Sequence, residues 1–312
     1  MTAVRISGLC ALALLVSQAV FAPATHAASA GAALSQEELT KQRRIYQSRG
    51  SETPSGYVID RALALYADAL AADFDRSLAA LGPAERWLDI GAGEGNAVLE
   101  YCTTRAEAPN AKLEASGERA RVVAISIEDR RTPRWHETAS ALGAGQIEYL
   151  YGKTLREYSA QELGHFKLIT DVMGGFSYST EISSFMEKAL SLLEVDGSFF
   201  TVLADVHSES GGNRPHYPDS AYLTEIRAAD GAEVKVCAWL KRISCVQVTC
   251  GFKSDWTPPI EAYQIRKTCD DVRVPALVPL RYQAGTPPER AFRLRDPASP
   301  PSDAPVAETA SR

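Results

Sequence analysis

An α/β fold is predicted for this sequence: a doubly wound, mostly parallel sheet of about seven strands, with helices on both faces and antiparallel strands at the C-terminal edge. Three observations predict it. Short apolar runs alternate with helical stretches five times between Trp87 and Ala204, the order that builds a parallel sheet with crossover helices. The first of these runs enters Gly91-Ala92-Gly93-Glu94-Gly95 and then a helical stretch from Asn96. Apolar alternation in the last third, as in "SCVQVTC" and "EAYQIRK", marks antiparallel strands with one solvated face.

The elements follow in order. Residues 1–30 carry Arg5, an apolar run from Gly8 to Ala22 and a small-residue "ASA" ending at Ala30, the layout of an export signal cleaved before Gly31. The run is shorter than the roughly 20 residues a spanning helix needs, so no stable membrane span is expected, and the mature chain is expected in the periplasm or outside the cell. Residues 31–81 read as lead-in helices: Ser35 and Glu38 form an S-x-x-E capping box, "RGSETPSG" breaks the pattern, and an Ala- and Leu-rich stretch follows from Tyr57 to Leu81.

The main domain is expected over 82–283. Its strands are placed at Trp87–Ile90, Val122–Ile127, Ile147–Tyr151, Phe166–Met173 and Ser198–Ala204. The helices between them are placed at Asn96–Thr104, Pro133–Ala141, Leu155–Glu162 and Glu181–Leu193. Runs such as "FFTVLA" fit strands buried on both faces. Beyond Asp205 come a turn-rich loop, a short helix near Ala221–Ala228 and a strand-like "AEVKVCAWLK". The Pro-rich stretch 284–312 has too few apolar residues after Leu294 to form a core and is read as a disordered tail.

A formal net charge of −6 gives no general attraction for phosphate backbones, so nucleic acid is not expected as a partner. After signal cleavage five cysteines remain, and Cys237, Cys245, Cys250 and Cys269 crowd into the last quarter of the chain. In an oxidising compartment that clustering points to one or two disulfides. Metal ligation is the alternative, but the spacings contain no C-x-x-C, and no metal site is predicted. Cys102, in a predicted helix, reads as a small buried hydrophobe.

Glycines at the end of a strand permit positive φ and let a ligand approach the backbone, while the next helix offers free N–H groups to a carboxylate or phosphate. The spacing here is G-x-G-x-G. A dinucleotide fingerprint needs its third Gly at 96, where this chain has Asn, so an NAD-type oxidoreductase is the weakest of the enzyme readings.

With that loop, the fourth strand "FKLITDVMGG" and the later "LEVDGSFF" in this order, residues 82–204, and more loosely to 268, resemble a class I methyltransferase dependent on S-adenosyl-L-methionine (SAM). The resemblance implies methyl transfer from SAM to a small-molecule or protein acceptor. It implies Gly91, Gly93 and Gly95 beneath the methionine part of SAM, Asp89 near its ammonium group, and Asp171 at the donor–acceptor boundary. The family's ribose-binding acid has no direct counterpart: Ser126 aligns there, and Glu128, on the same face two residues on, is the candidate. Lys153 stands where the family often has an acid or amide near adenine. His207, after the fifth strand, is the candidate substrate-facing base.

Each residue also has a plainer reading. Asp89 fits a turn or helix-capping carboxylate, Asp171 fits a carboxylate satisfying amides of the Met173-Gly174-Gly175 turn, Glu128 fits a solvated loop acid, and His207 fits a surface-loop histidine, as do Tyr178, Glu181 and His216 for their own positions. The fourth strand has no N-P-P-Y-like sequence, which disfavours amino-group methylation of nucleobases and glutamine. The alternative function is an exported, non-catalytic descendant of the fold that binds another ligand or a partner.

Overall fold

Strand β1 (Arg86–Ile90) lies at the centre of a seven-stranded sheet, hydrogen-bonded in parallel to β2 (Arg121–Ser126) on one side and β4 (Phe166–Asp171) on the other. The computed structural model describes residues 61–103, 119–142, 145–204, 224–253, 260–283 and 288–295. The export signal, the capping box at Ser35, His207 and His216 lie outside the described residues.

With β3 (Ile147–Tyr151), β5 (Leu193–Ala204), β7 (Val246–Lys253) and β8 (Ile260–Lys267), the sheet runs β3-β2-β1-β4-β5-β8-β7. The first five strands are parallel, β8 is antiparallel to both β5 and β7, and the expected reversal at the C-terminal edge is thus present. The central strands are buried on both faces. Leu88, Ile90, Val123 and Ile125 face one core, against the helix Ile182–Leu192. Trp87, Val122 and Ala124 face the other, against the helices Leu63–Ala69, Asn96–Thr103 and Pro133–Ala141. Each large apolar side chain buried in this way contributes about 1.5–3 kcal/mol.

Chain order reverses between β1 and β4, since β2 and β3 extend the sheet one way and β4 and β5 the other. Open α/β sheets place their ligand crevice at the carboxyl ends of the strands at such a point.

Four expectations are corrected. The Ala- and Leu-rich stretch breaks after Ala69 and resumes as the helix Phe74–Ala79, whose Phe74 packs edge-on against Phe200 at 5.7 Å. The expected helix near Ala221–Ala228 is instead a strand, β6 (Thr224–Arg227), because pairing with β10 (Glu289–Leu294) overrides local propensity. The strand-like "AEVKVCAWLK" contains a helix, Val236–Leu240, with Val236, Trp239 and Leu240 buried at the helical spacing i, i+3, i+4. The disordered tail cannot begin at 284, because β10 is the central strand of a second sheet, β6-β10-β9, with β9 at Leu277–Gln283. Arg290, Ala291 and Phe292 of β10 are buried, and a buried arginine hides a strand from any reading of apolar pattern.

Two disulfides close the C-terminal region, Cys237–Cys250 and Cys245–Cys269, with Cα separations of 6.2 and 5.0 Å, inside the usual range. Cys102 is free and half-buried on its helix, and burial pushes its thiol up to about 11.

Candidate functional site

The turn after β1 is glycine by necessity. Gly91, Gly93 and Gly95 all have positive φ, between 60° and 75°, a region costly to residues with a Cβ. A Cβ on Gly91 would also fall 2.7 Å from the Gly174 Cα, so the turns after β1 and β4 press backbone on backbone. A Cβ on Gly95 would meet Trp135 Nε1 at 2.9 Å and the Tyr149 ring at 3.3 Å; the third glycine therefore serves helix packing. The turn's carbonyls are held from outside: the Arg61 guanidinium donates to Gly91 O and the Tyr149 hydroxyl to Gly93 O.

Asp89 is fully buried and shares its face with Trp87. It accepts from the Tyr66 hydroxyl at 2.9 and 3.1 Å and from Thr170 Oγ1 at 2.7 Å. Burial raises it to about 6, against the pull of Thr170, the nearby Arg61 charge and Tyr66. Tyr66 is itself raised well above its ordinary value, first by burial and then by the Asp89 charge.

Asp171 ends β4 and is also fully buried. Its Oδ1 accepts from Gly174 N and its Oδ2 from Phe176 N, both at 3.1 Å. Burial lifts it to about 7, opposed by those two amides and reinforced by Asp89. The turn it organises is tight: Met173 has φ 52°, and the short helix Gly175–Tyr178 starts immediately after.

A cavity of about 390 Å³ opens beside this turn, at the carboxyl ends of β1 and β2. One wall is Ile90, Gly91 and Ile125 to Ile127; the second is the turn Thr154 to Glu157 after β3; the third is Gly175 and Tyr178 to Thr180, with Phe185 behind. Its size suits a small organic ligand. The lining combines apolar residues with the hydroxyl-bearing Ser126, Thr154, Ser179 and Thr180 and the charged Arg156 and Glu157. Glu157 accepts from Thr154 N at 2.7 Å and Thr154 Oγ1 at 3.0 Å, fixing its own turn. Arg156 pairs with Glu181, joining the second wall to the segment that follows the third.

The expected residues therefore divide. Gly91 and Ser126 line the cavity, and so does Tyr178. Asp89, Gly93 and Gly95 support the turn from the other face. Glu128 is buried at 4% exposure and paired with Arg130 at 2.5 Å, outside the lining. Asp171 holds the β4 turn. Lys153 pairs with Glu162 at 2.8 Å and sits over the Tyr158 ring, also outside the lining. Sequence reasoning missed Thr154, Leu155, Ser179, Thr180 and Phe185, whose residue types carry no chemical signal, and it missed Arg61 and Tyr66, which reach the glycine turn from a preceding helix region. Among the described residues no cluster of His, Cys, Asp and Glu has the geometry of a metal site, and no helix is long and apolar enough to cross a membrane.

No protein-family model and no curated protein sequence matches the chain. Solved structures do. An rRNA methylase from Streptococcus thermophilus is 13% identical, with 68% of this chain and 100% of that one covered at a TM-score of 0.40. The N-terminal domain of EvdMO1, solved with S-adenosyl-L-homocysteine (SAH) and D-fucose, is 11% identical, covering 77% and 100% at 0.41. The O-methyltransferase TomG from Streptomyces achromogenes, solved with SAM, is 15% identical, covering 76% and 91% at 0.37.

Proposed function

We propose that this chain is a SAM-dependent methyltransferase that binds SAM in the cavity at the ends of β1 and β2 and acts on a small-molecule or protein acceptor. The observation that carries the reading is the cavity itself, which opens on Gly91 at the point where strand order reverses. Bound there, SAM would supply a methyl group already activated by its sulfonium charge. The residues present fit such a group: Gly91 gives close backbone approach, Ile90, Ile125 and Leu155 give flat apolar walls, and Ser126 and Thr154 give hydroxyls for sugar or ring atoms.

The work left to the protein is positioning and exclusion of water. Asp89 and Asp171 serve that end indirectly, by fixing the turns after β1 and β4 through Tyr66, Thr170 and the Gly174 and Phe176 amides. The family role of Asp171 beside the acceptor, the ribose role of Glu128 and the base role of His207 stay part of this proposal. Export belongs to it as well, supported by the leader and the two disulfides.

A second reading is a non-catalytic binding protein built on the same fold. It is favoured by one observation: among the described residues, Glu157 is the sole carboxylate lining the cavity, and it is engaged by Thr154. Calorimetric titration of SAM and SAH into the purified chain with its disulfides formed separates the two. Micromolar binding supports the methyltransferase and justifies an acceptor screen; no binding at millimolar ligand by a folded sample removes SAM as the ligand.

A further inference from the structure

The third wall of the cavity is built on a helix of only four residues, Gly175–Tyr178. A helix this short has no room to satisfy its own C-terminal carbonyls, which need partners from elsewhere. They find them in the second sheet. Arg290 Nη1 of β10 donates to Phe176 O and Ser179 O, both at 2.9 Å, and the Tyr282 hydroxyl of β9 donates to Tyr178 O at 3.3 Å. The rest of the guanidinium is fixed by β6, with Nη2 and Nε donating to Thr224 Oγ1 at 2.8 and 3.2 Å. Arg290 is fully buried, and among the described residues its hydrogen-bond partners are two carbonyls and a hydroxyl, none a carboxylate.

A buried guanidinium is costly unless its fork is fully used. If β10 served only to cover the core, an apolar residue at 290 would do so at less cost. What an apolar residue cannot do is hold two carbonyls of the adjacent segment in one rigid fork.

We propose that Arg290 is the positioning residue of the cavity wall, fixing residues 176–179 from behind so that Tyr178, Ser179 and Thr180 present a set surface to the ligand. The β6-β10-β9 sheet is then part of the binding site, although none of its residues lines the cavity. The inference rests on that cavity being the ligand site of the proposed function.

The test is hydrogen exchange on the full, disulfide-bonded chain carrying Arg290→Lys, which keeps the charge and loses the fork. The amides of Ser177, Tyr178 and Ser179, bonded to Gly174 O and Gly175 O, should exchange about tenfold faster or more, as expected for the loss of a buried hydrogen bond to a charged group, with β1, β2 and β4 unchanged. Unchanged exchange at 177–179, or acceleration spread evenly over both sheets, overturns the proposal. If Arg290→Lys does not fold, Tyr282→Phe removes one donor and should give the same local acceleration at smaller size; no local change overturns the proposal in that form too. SAH supplies the second readout. When the wild-type chain binds it, Arg290→Lys should weaken binding about tenfold or more, and equal affinity overturns the positioning role. When the wild-type chain does not bind it, the methyltransferase reading falls, and the exchange result still decides the role of Arg290.

Discussion

Asp89 and Asp171 make the fold's stability depend on pH in a direction opposite to that of ordinary surface carboxylates. Burial raises Asp89 from 3.8 to about 6 and Asp171 from 3.8 to about 7. A carboxyl whose folded value lies above its unfolded one binds more protons folded than unfolded, so its contribution falls as pH rises from the unfolded value through the folded one. At about 1.4 kcal/mol per pH unit, raising pH from 5 to 8 costs about 3 kcal/mol through Asp171, which titrates over the first two of those units. The same change costs about 1 kcal/mol through Asp89, which titrates over the first. The perturbation that isolates this is Asp171→Asn, neutral at every pH and nearly isosteric. It gives up one of the two amide bonds at every pH, since an amide presents only one acceptor. Urea unfolding of both proteins at pH 5 and pH 8 gives the four free energies needed. The expected outcome is a wild-type loss between the two pH values that exceeds that of the Asn variant by about 3 kcal/mol. Equal losses in the two proteins would refute the claim that Asp171 is a buried, protonatable group in the folded state.

Gly91→Ala places a Cβ 2.7 Å from the Gly174 Cα at φ +72°. Backbone cannot yield as a side chain does, so we expect a loss of about 2–4 kcal/mol in stability and loss of any SAH binding, read by thermal melt and calorimetry; a near-neutral melt would show that the two turns are not packed as described. Reducing both disulfides opens links between residues 13 and 24 apart in sequence. Each is expected to contribute about 3 kcal/mol, seen as a lower urea midpoint in dithiothreitol than in its absence. The same midpoint in both would mean that the cysteines are unpaired in the protein.

The part of the fold that could be read from sequence is the part whose residues answer to a local rule. Strand β3 falls at Ile147–Tyr151 as expected, and the other four parallel strands overlap their expected positions; for the central strands the reason is that burial on both faces demands apolar runs. The glycine turn was legible for the same reason: positive φ at Gly91, Gly93 and Gly95 excludes most other residues. The second sheet was not. Strand β10 is "ERAFRL", whose Arg290 is buried by partners on elements 66 and 114 residues away, and no local pattern announces such a strand. The helix Val236–Leu240 was legible in principle, since its buried residues follow helical spacing, but two β-branched valines and a disulfide-rich context favour a strand reading.

The site divides along a similar line, and the division bears on function. Acids picked from sequence as ligand contacts, Asp89, Glu128 and Asp171, are buried groups engaged by Tyr66 and Thr170, by Arg130, and by the Gly174 and Phe176 amides. Most of the described residues that line the cavity are apolar or hydroxylic, with Arg156 and Glu157 the charged exceptions, and they come from the ends of β1 and β2 and from the segments after β3 and β4. A donor activated by its own charge asks little more than this of its binding site: shape, a dry surface and a few hydrogen-bonding groups. A site that had to generate a nucleophile from a poor one would need a base in contact with the ligand. In the described part of the cavity the group nearest to that role is Glu157, whose carboxylate is committed to Thr154. Under the proposed function, an acceptor that is already nucleophilic, such as a thiolate or an unprotonated amine, would ask no base of the described lining. An alcohol acceptor would need a base from elsewhere, with His207 the candidate named by the sequence.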